Sequence, residues 1–387
     1  MIPYGKQSIE QSDIDAVVSV LKSDWLTQGP KVPAFEQALC GYTSANYAVA
    51  VNSATSALHI ACLALGVGKQ DTVWTSPNSF VASANCALYC GAQVDFVDID
   101  IETGNMSVDS LASKLALAEQ QNKLPKVIIP VHFAGQSCDM KAIYALSKQY
   151  GFNVIEDASH AVGGCYQGEK VGNCKYSDIC IFSFHPVKII TSAEGGVALT
   201  NDKNLAQQLS KLRSHGITSD QSEFTEPSHG VWYYQQQALG YNYRMTDIHA
   251  ALGISQLGRV DEFVQKRNQL ATRYDELFAN NPSVTPLKVA TDTYSAYHLY
   301  VVKVHNSNPE LHRHLIAELR ERGICGHVHY IPIYLQPYYQ QLGFAKGYCK
   351  NTEAYYHSAV TLPLYPKLAE NNITALVSTL LDLLKKV

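Results

Sequence analysis

The stretch YAVAVNSATSALHIACLALG (47–66) carries the strand-to-helix pattern from which the architecture can be predicted. Its first residues form a short, valine-rich apolar run, which is typical of a buried strand. The cap-forming side chains Ser53, Thr55 and Ser56 come next, and a run of mostly small, apolar residues follows them. A strand that passes directly into a helix predicts one unit of an α/β protein.

The same alternation of apolar runs and helical segments recurs along the chain. Six further strand-like runs are TVWTS (72–76), QVDFVDID (93–100), KVIIPVHF (126–133), FNVIEDA (152–158), SDICIFSF (177–184) and GGVALTND (195–202). Continuous apolar strands separated by helices indicate a mostly parallel sheet that is covered on both faces. We therefore predict an α/β fold with a seven-stranded sheet.

The ends of two helices can be predicted from the sequence. The segment DMKAIYALSKQYG (139–151) is predicted to begin at an Asp139 cap and to end at Gly151. The first helix is predicted to begin at a Ser12 cap and to bury an apolar stripe formed by Ile14, Val17, Val18 and Leu21.

The α/β pattern runs from about residue 15 to about residue 245. We predict a large domain over 1–250, with roughly the first 12 residues as an N-terminal arm. A long helical stretch from Met245 to about Asn280 is interpreted as a bridge to a second domain. The predicted small α+β domain covers 251–387 and contains HLYVVKV (298–304), HLIAELRERG (314–323) and TALVSTLLDLLKKV (374–387).

Composition excludes several classes of function. The 387 residues include 30 basic and 34 acidic side chains, a balance that does not favour a nucleic-acid-binding surface. No apolar run approaches the length of a membrane helix, so we expect a cytoplasmic protein with no membrane partner. The 10 cysteines form no C-x-x-C pair and indicate reduced thiols. Because the spacing of Cys165 and Cys174 fits no zinc pattern, no metal site is predicted.

Ligands of open parallel sheets bind at the carboxyl ends of the strands. After the first strand, Ser53, Ala54 and Thr55 begin a helix, and their small side chains would let backbone N–H groups approach an anion. The segment matches neither a Walker A loop nor a G-x-G-x-x-G fingerprint. Taken alone, the segment is more simply interpreted as ordinary helix capping by serine and threonine.

Three further polar residues follow strands of the same predicted sheet. Asp157 ends the apolar run of FNVIEDA, His160 comes three residues later, and Lys188 follows SDICIFSF. Singly they could be a helix cap, a buried core histidine and a solvent-facing lysine. Together with an anion cradle they meet the needs of pyridoxal 5'-phosphate (PLP): a phosphate site, a carboxylate for the pyridinium nitrogen and an amine for the Schiff base. The apolar setting of Lys188 would lower its pKa and free the amine for nucleophilic and base chemistry.

Several long motifs resemble one known family. VNSATSALHIA (51–61), EDASHAVGG (156–164), FSFHPVKIITSAEGG (182–196) and GYNYRMTDIHAALGISQL (240–257) resemble the DegT/StrS family of nucleotide-sugar aminotransferases. The likeness covers essentially the whole chain. It implies the PLP-dependent transferase fold of type I, with a large domain, a smaller C-terminal α+β domain and a homodimer with shared active sites.

The resemblance also implies roles for matching positions. Lys188 would form the Schiff base, Asp157 would pair with the ring nitrogen and His160 would lie near the ring hydroxyl. The other cofactor-binding residues would be Ser53, Ala54, Thr55, Phe80, Ser183 and Asn242. Of these, Phe80 would stack on the ring, although a core position is also compatible with it. Asn242 would reach the cofactor phosphate of the neighbouring subunit.

For the substrates, the resemblance implies transfer of the amino group of L-glutamate to C4 of a UDP-linked 2-acetamido-2,6-dideoxy-4-hexulose, as in pseudaminic acid synthesis. Substrate contacts would come from Tyr4, Trp25, Leu26, Thr27, Asn242, His327, His329 and Tyr330. The loop VHYIPIYLQPYY (328–339) could instead only pack on the small domain. A dehydratase branch carries histidine in place of the lysine, and this sequence keeps Lys188. Two alternatives stay open: amination of another nucleotide-linked 4-keto-6-deoxy sugar, and a non-catalytic sugar-sensing protein.

Overall fold

The structure, a computed structural model, describes residues 1–385. Its strands are β1 (Tyr47–Val51), β2 (Thr72–Thr75), β3 (Gln93–Phe96), β4 (Val127–Ile129), β5 (Asn153–Asp157), β6 (Cys165–Tyr166), β7 (Glu169–Lys170), β8 (Ile179–Ser183), β9 (Gly196–Thr200), β10 (Ile217–Thr218), β11 (Gln235–Gln236), β12 (Val284–Pro286), β13 (Thr293–Tyr294), β14 (Tyr300–Val304) and β15 (Ala359–Leu362).

The helices connect these strands. They are α1 (Gln11–Leu21), α2 (Lys31–Thr43), α3 (Ala54–Ala64), α4 (Ala82–Tyr89), α5 (Val108–Gln120), α6 (Met140–Tyr150), α7 (Lys203–Arg213), α8 (Asp247–Leu257), α9 (Val260–Phe278), α10 (Pro309–Glu321), α11 (Pro337–Gln341), α12 (Lys350–Tyr356) and α13 (Glu370–Leu384). None of the helices within residues 1–385 is long and apolar enough to cross a membrane.

The central sheet has seven strands in the order β1-β9-β8-β5-β4-β2-β3. Neighbouring strands from β8 to β3 pair in parallel, whereas β9 pairs antiparallel with both β8 and β1. The carboxyl ends of β1, β5 and β8 therefore meet the beginning of β9 at one edge of the sheet. The predicted α/β class and mostly parallel sheet are confirmed.

Side chains alternate between the two covered faces of this sheet. Ile155 and Ile181 belong to the core cluster that contains α3 and α4. Phe182 belongs to a second core cluster, on the other side, with Phe35 and Phe263. The period of two places Asp157 on the face of Ile155 and Ser183 on the face of Ile181. Both polar side chains therefore point toward α3 and α4.

Helix α9 joins the large sheet to a three-stranded antiparallel sheet with the order β12-β14-β15. The first half of α9 packs with the large sheet through Val260 and Phe263. Its second half packs with the small sheet through Leu270 and Tyr274. The helical stretch predicted from Met245 to Asn280 is divided into α8 and α9, since α8 ends at the Gly258 cap.

Helix α6 has the predicted ends, with an Asp139 side chain that accepts a hydrogen bond from Ala142 N and with Gly151 at φ 77°. The prediction for α1 was wrong in its cap and in its face. The cap is Glu10 and not Ser12.

The apolar stripe predicted to be buried on α1 is largely exposed. Ile14, Val18 and Leu21 are 48%, 36% and 56% exposed, whereas Asp13 is buried. The Asp13 carboxylate accepts hydrogen bonds from Ser255 Oγ at 2.6 Å and from Gln256 Nε2 at 2.8 Å. It also pairs with Arg259 at 2.5 Å. Polar groups of the α8 segment thus decide which face of α1 turns inward.

The first residues of the chain pair with its C-terminal part. Ile2 N donates to Gly323 O at 2.7 Å, and Cys325 N donates to Ile2 O at 2.9 Å. The predicted domain boundary at residue 250 falls inside α8. The boundary and the N-terminal arm stay predictions, and residues 386–387 of the predicted small domain lie outside the described residues.

Candidate active site

A cavity of about 340 Å³ lies at the edge of the sheet where β1, β5, β8 and β9 meet. Its walls come from both the large sheet and the C-terminal part of the chain. The predicted site residues that line it are Tyr4, Ser53, Ala54, Thr55, Phe80, Asp157, His160, Ser183, Lys188, His327, His329 and Tyr330.

The beginning of α3 forms one wall of the cavity. Ser53 caps the helix, and its Oγ accepts a hydrogen bond from Ser56 N at 3.1 Å. The N–H groups of Ala54 and Thr55 belong to the first turn, which has no intrahelical acceptors for them. Gly196 lies so close that a Cβ there would be 2.4 Å from Ala54 N. A helix start with free N–H groups and a closely packed backbone suits a phosphate group.

The Asp157 carboxylate is held from both of its oxygens. Ser83 Oγ, on α4, donates to Oδ2 at 2.6 Å. Ser159 Oγ donates to Oδ1 at 2.6 Å, and its backbone N–H donates to the same oxygen at 3.2 Å. Asp157 is 4% exposed, so these bonds fix a buried carboxylate that faces the cavity.

Lys188 extends into the cavity from the loop after β8, where its N–H donates to His185 O at 2.9 Å. The side chain is half-buried. Burial lowers the pKa of its ammonium group to about 8, and the negative charge of Asp157 acts in the opposite direction. Desolvation is the larger effect because it removes the water that stabilises the charged form.

Buried His160 and half-buried Tyr330 both line the cavity and interact with each other. Their Nε2 and hydroxyl are 3.1 Å apart, and Tyr330 N donates to Asn78 Oδ1 at 3.1 Å. Burial lowers the pKa of His160 well below its ordinary value and raises the pKa of Tyr330. The phenol therefore keeps its proton and donates to Nε2, which leaves the imidazole hydrogen on Nδ1. This Nδ1 is buried without a partner among the described residues.

An aromatic wall closes the cavity on the side of the C-terminal part. The Tyr4 ring lies 5.2 Å from the ring of His327 and 5.0 Å from that of His329. His329 Nδ1 is 2.9 Å from Thr361 Oγ1. Burial lowers the pKa of both histidines, so they are neutral groups that can stack on or hydrogen-bond to an uncharged ligand.

Four predicted site residues lie outside this cavity within a single chain. Trp25 and Leu26 are 57% and 47% exposed on the segment after α1. Thr27 forms a bridge with Thr246. Asn242 forms a bridge with Ser214. Their roles stay predictions that require a second subunit or a bound substrate.

Sequence reasoning did not identify the residues that position the predicted groups. Ser159 lies two residues after Asp157, and this spacing is a recognisable signal because Asp and Ser side chains often form such local bonds. Ser83 is 74 residues away from Asp157 in the chain, and no local signal points to it. Asn78, which positions Tyr330, is also distant in sequence.

The site fits PLP on several grounds of its own. It offers an anion cradle, a fixed buried carboxylate, an amine of lowered pKa and an imidazole N–H that no group in the described part of the chain accepts. The described residues contain no group of three or more His, Cys, Asp or Glu that could hold a metal ion.

Comparisons with known proteins agree with this arrangement. The profile of the DegT/DnrJ/EryC1/StrS aminotransferase family matches residues 7–381. The UDP-4-amino-4,6-dideoxy-N-acetyl-beta-L-altrosamine transaminase of Campylobacter jejuni serotype O:2 is 39% identical over 390 residues, which cover 100% of this chain and 98% of that protein.

Two solved structures share the whole fold. PseC of Helicobacter pylori, an aminotransferase involved in the biosynthesis of pseudoaminic acid, has a TM-score of 0.91 and 32% identity, with 100% of both chains covered. Spr1654 of Streptococcus pneumoniae in its PMP form has a TM-score of 0.90 and 32% identity over 100% of both chains, and it is also known in a PLP form. The protein therefore belongs to the DegT/DnrJ/EryC1/StrS aminotransferase family and is a PLP-dependent transaminase.

Proposed function

We propose that this sugar aminotransferase moves the amino group of L-glutamate to C4 of a UDP-linked 2-acetamido-2,6-dideoxy-4-hexulose, the amination step of pseudaminic acid synthesis. The observation that carries the proposal is a likeness over the full chain to a UDP-sugar transaminase, in a molecule that retains Lys188 in a cavity built for PLP. The similarity to PseC supports the same substrate class.

Different residues of the chain would bind different parts of the cofactor. The N–H groups of Ala54 and Thr55 and the hydroxyl of Ser183 would bind the phosphate, beside the Ser53 cap. Asp157 would hold the proton on the ring nitrogen. Bound PLP supplies an electron-withdrawing ring that stabilises negative charge at the carbon from which a proton is removed.

Two side chains would act next to the ring. Phe80 is 61% exposed at the cavity, and an aromatic face open to the cavity suits stacking on the ring. His160 has an Nδ1–H that finds no partner within residues 1–385, and it would donate this hydrogen to an oxygen of the cofactor. Tyr330 would keep the imidazole in that tautomer.

Lys188 would be the group that moves protons. With a pKa of about 8, a substantial fraction of the amine is neutral near physiological pH and can act as a base. It would take the proton from the Cα of glutamate and later deliver a proton to C4 of the sugar. Asp157, which stays close by, would limit how far the pKa falls.

The sugar nucleotide would bind along the aromatic wall formed by Tyr4, His327 and His329. Neutral, partly buried rings suit the uncharged faces of a sugar and a uracil base. This wall comes from the first residues and from the C-terminal part of the chain, so a ligand there would contact both.

The active unit would be a homodimer in which Asn242 of each subunit reaches the cofactor phosphate of the other. Exposed apolar side chains support an interface: Trp25 and Leu26 are 57% and 47% exposed, and Leu21 is 56% exposed. Trp25, Leu26 and Thr27 would gain contact with substrate in that assembly. Co-expression of Lys188→Ala and Asn242→Ala chains should restore part of the activity that each variant loses alone.

The substrate assignment is tested with a panel of UDP-, dTDP- and GDP-linked 4-keto-6-deoxy sugars, each offered with L-glutamate. Product mass and NMR identify the amino sugar, and 2-oxoglutarate is measured in parallel. We expect turnover of the UDP-linked 2-acetamido sugar and none with the Lys188→Ala protein.

Each other outcome has a defined meaning. Turnover of only dTDP- or GDP-linked sugars would reject the pseudaminic acid assignment and retain sugar amination. PLP binding without turnover of any sugar would favour the sugar-sensing alternative. Amination of the sugar without L-glutamate, from another amino acid, would reject the donor.

A further inference from the structure

His298 is a buried residue behind the wall of the cavity. It is 4% exposed and lies in the segment between β13 and β14. Its ring centroid is 4.4 Å from that of His160, and the two ring planes differ by 49°. Of the residues that the structure describes, His160 lines the cavity and His298 does not. Any effect of His298 on a bound ligand must therefore pass through the residues that it contacts.

Three rings pack against the His160 imidazole. The ring centroids of Tyr330 and Phe133 lie 6.1 Å and 6.2 Å from it, so His298 is the nearest of the three. The χ2 angle of a histidine has broad energy minima, and one hydrogen bond to Tyr330 leaves the ring free to tilt. The close contact with His298 restricts that motion.

The backbone around His298 is itself held in place. Arg267, which is 1% exposed on α9, donates from one guanidinium nitrogen to Tyr297 O at 3.1 Å and to His298 O at 3.3 Å. Ala296 N donates to Gly135 O at 2.8 Å. The His298 ring therefore extends from a segment that is fixed on both sides.

Gly135 allows this segment to approach His160. A Cβ at Gly135, whose φ is 108°, would be 2.8 Å from His298 N and 3.1 Å from His160 O. Both are backbone atoms, so no side-chain rotation would make room for it. The missing side chain at Gly135 thus brings the two histidine backbones to the distance at which their rings meet.

Both imidazoles are uncharged near neutral pH. Burial lowers the pKa of His298 well below its ordinary value, and His160, Lys188 and Arg267 act in the same direction. Burial has the same effect on the pKa of His160. Two neutral rings can pack closely without the repulsion of two cations. The Nδ1 of His298 finds no hydrogen-bond partner within residues 1–385, so this atom leaves the ring to be held by packing.

We propose that His298 is a positioning residue for the cofactor. Its ring keeps the His160 imidazole in the orientation in which Nε2 meets the Tyr330 hydroxyl and the Nδ1–H points to the cofactor. This inference rests on the proposed contact of His160 with the cofactor, and it adds the residue that fixes the geometry of that contact.

Equilibrium dialysis of PLP with the full-length protein measures the expected effect. His298→Ala should weaken PLP binding roughly 3- to 10-fold, because a tilted His160 loses most of its hydrogen bond to the cofactor. His298→Phe, which keeps a planar ring, should stay within about twofold of the parent protein. The control is His312→Ala, since His312 is also buried but lies on α10, where its Nε2 is 2.8 Å from Ala359 O. This control should leave PLP affinity unchanged.

A double-mutant cycle shows whether His298 acts through His160. In the His160→Gln protein, His298→Ala should weaken PLP binding no further, whereas two independent contributions would multiply. NMR of the full-length protein with 15N-labelled histidine, before and after PLP is added, gives a second measurement. His160 should carry its hydrogen on Nδ1 in the parent and in His298→Phe, and should be a mixture of tautomers in His298→Ala.

Parent-like PLP affinity with an unchanged His160 tautomer in His298→Ala would overturn the proposal, and so would multiplied losses in the double variant. If His298→Ala does not fold, His298→Leu replaces it, because leucine fills the space without a planar ring. His160→Gln separates the two levels of the argument. Normal PLP affinity in that variant would reject the cofactor contact of His160 itself, whereas a loss there without one in His298→Ala would reject only the role of His298.

Discussion

Replacement of Gly196 by alanine tests whether the close approach of β9 to α3 builds the phosphate cradle. A Cβ at Gly196 would be 2.4 Å from Ala54 N, 2.6 Å from Ser53 C and 2.7 Å from Ala54 Cα. All three are backbone atoms, so a side-chain rotation cannot relieve the contact. The start of α3 must move, and with it the N–H groups that face the cavity.

Gly196→Ala should have two effects, one on the stability of the protein and one on its affinity for PLP. Forcing an extra methyl group into a packed site costs about 1 to 3 kcal/mol of the free energy of unfolding of the cofactor-free protein. Loss of one hydrogen bond to a charged phosphate costs about 1.5 to 3 kcal/mol of binding, which weakens PLP affinity roughly 10- to 150-fold. Both effects have the same geometric cause.

Urea unfolding of the cofactor-free protein measures the first effect, and equilibrium dialysis with PLP measures the second. Gly41→Ala is the matched control, because Gly41 lies in α2 and a Cβ there would meet no atom of residues 1–385 within 4 Å. The control should leave PLP affinity unchanged and stabilise the protein by about 0.5 to 1 kcal/mol. A Gly196→Ala protein that binds PLP as tightly as the parent would refute the cradle.

Three further perturbations follow from the structure. In cofactor-free protein, the rate of Lys188 acetylation should rise with pH around a midpoint of about 8, since the neutral amine is the form that reacts. Asp157→Asn should move that midpoint to lower pH, because it removes a negative charge that favours the ammonium form. An unchanged midpoint in Asp157→Asn would contradict the coupling. Ser83→Ala should lower the free energy of unfolding in urea by about 1 to 3 kcal/mol, because Asp157 Oδ2 loses a buried donor. A loss below about 0.5 kcal/mol would count against this role of Ser83. Arg267 is 1% exposed and donates to three backbone carbonyls. Arg267→Ala should therefore lower the free energy of unfolding by at least about 3 kcal/mol. The control Arg322→Ala, at an exposed ion pair, should change it by less than about 0.5 kcal/mol. Equal effects of the two arginine variants would be the contrary result.

Much of the cavity could be predicted because its groups follow strands of one sheet. Asp157 ends β5, Lys188 follows β8 and Ala54 begins the helix after β1. The edge of a parallel sheet brings such positions together whatever the details of packing. The groups that orient them could not be predicted in the same way. Ser83 reaches Asp157 from another helix, and that meeting depends on how α4 lies on the sheet.

The strands of the seven-stranded sheet, the α6 ends at Asp139 and Gly151, and the family could all be predicted from the sequence, because period, capping and motif order are local properties of the chain. The burial of Asp13 and the exposure of Ile14 on α1 depend on tertiary packing, since the side chains of Ser255 and Gln256 that bond this carboxylate lie more than 240 residues away. The hydrogen bond between His160 and Tyr330, 170 residues apart, also depends on tertiary packing. A buried polar group is stable only where hydrogen-bond partners satisfy it. Whether partners that are distant in sequence lie close enough depends on the packing of the whole fold.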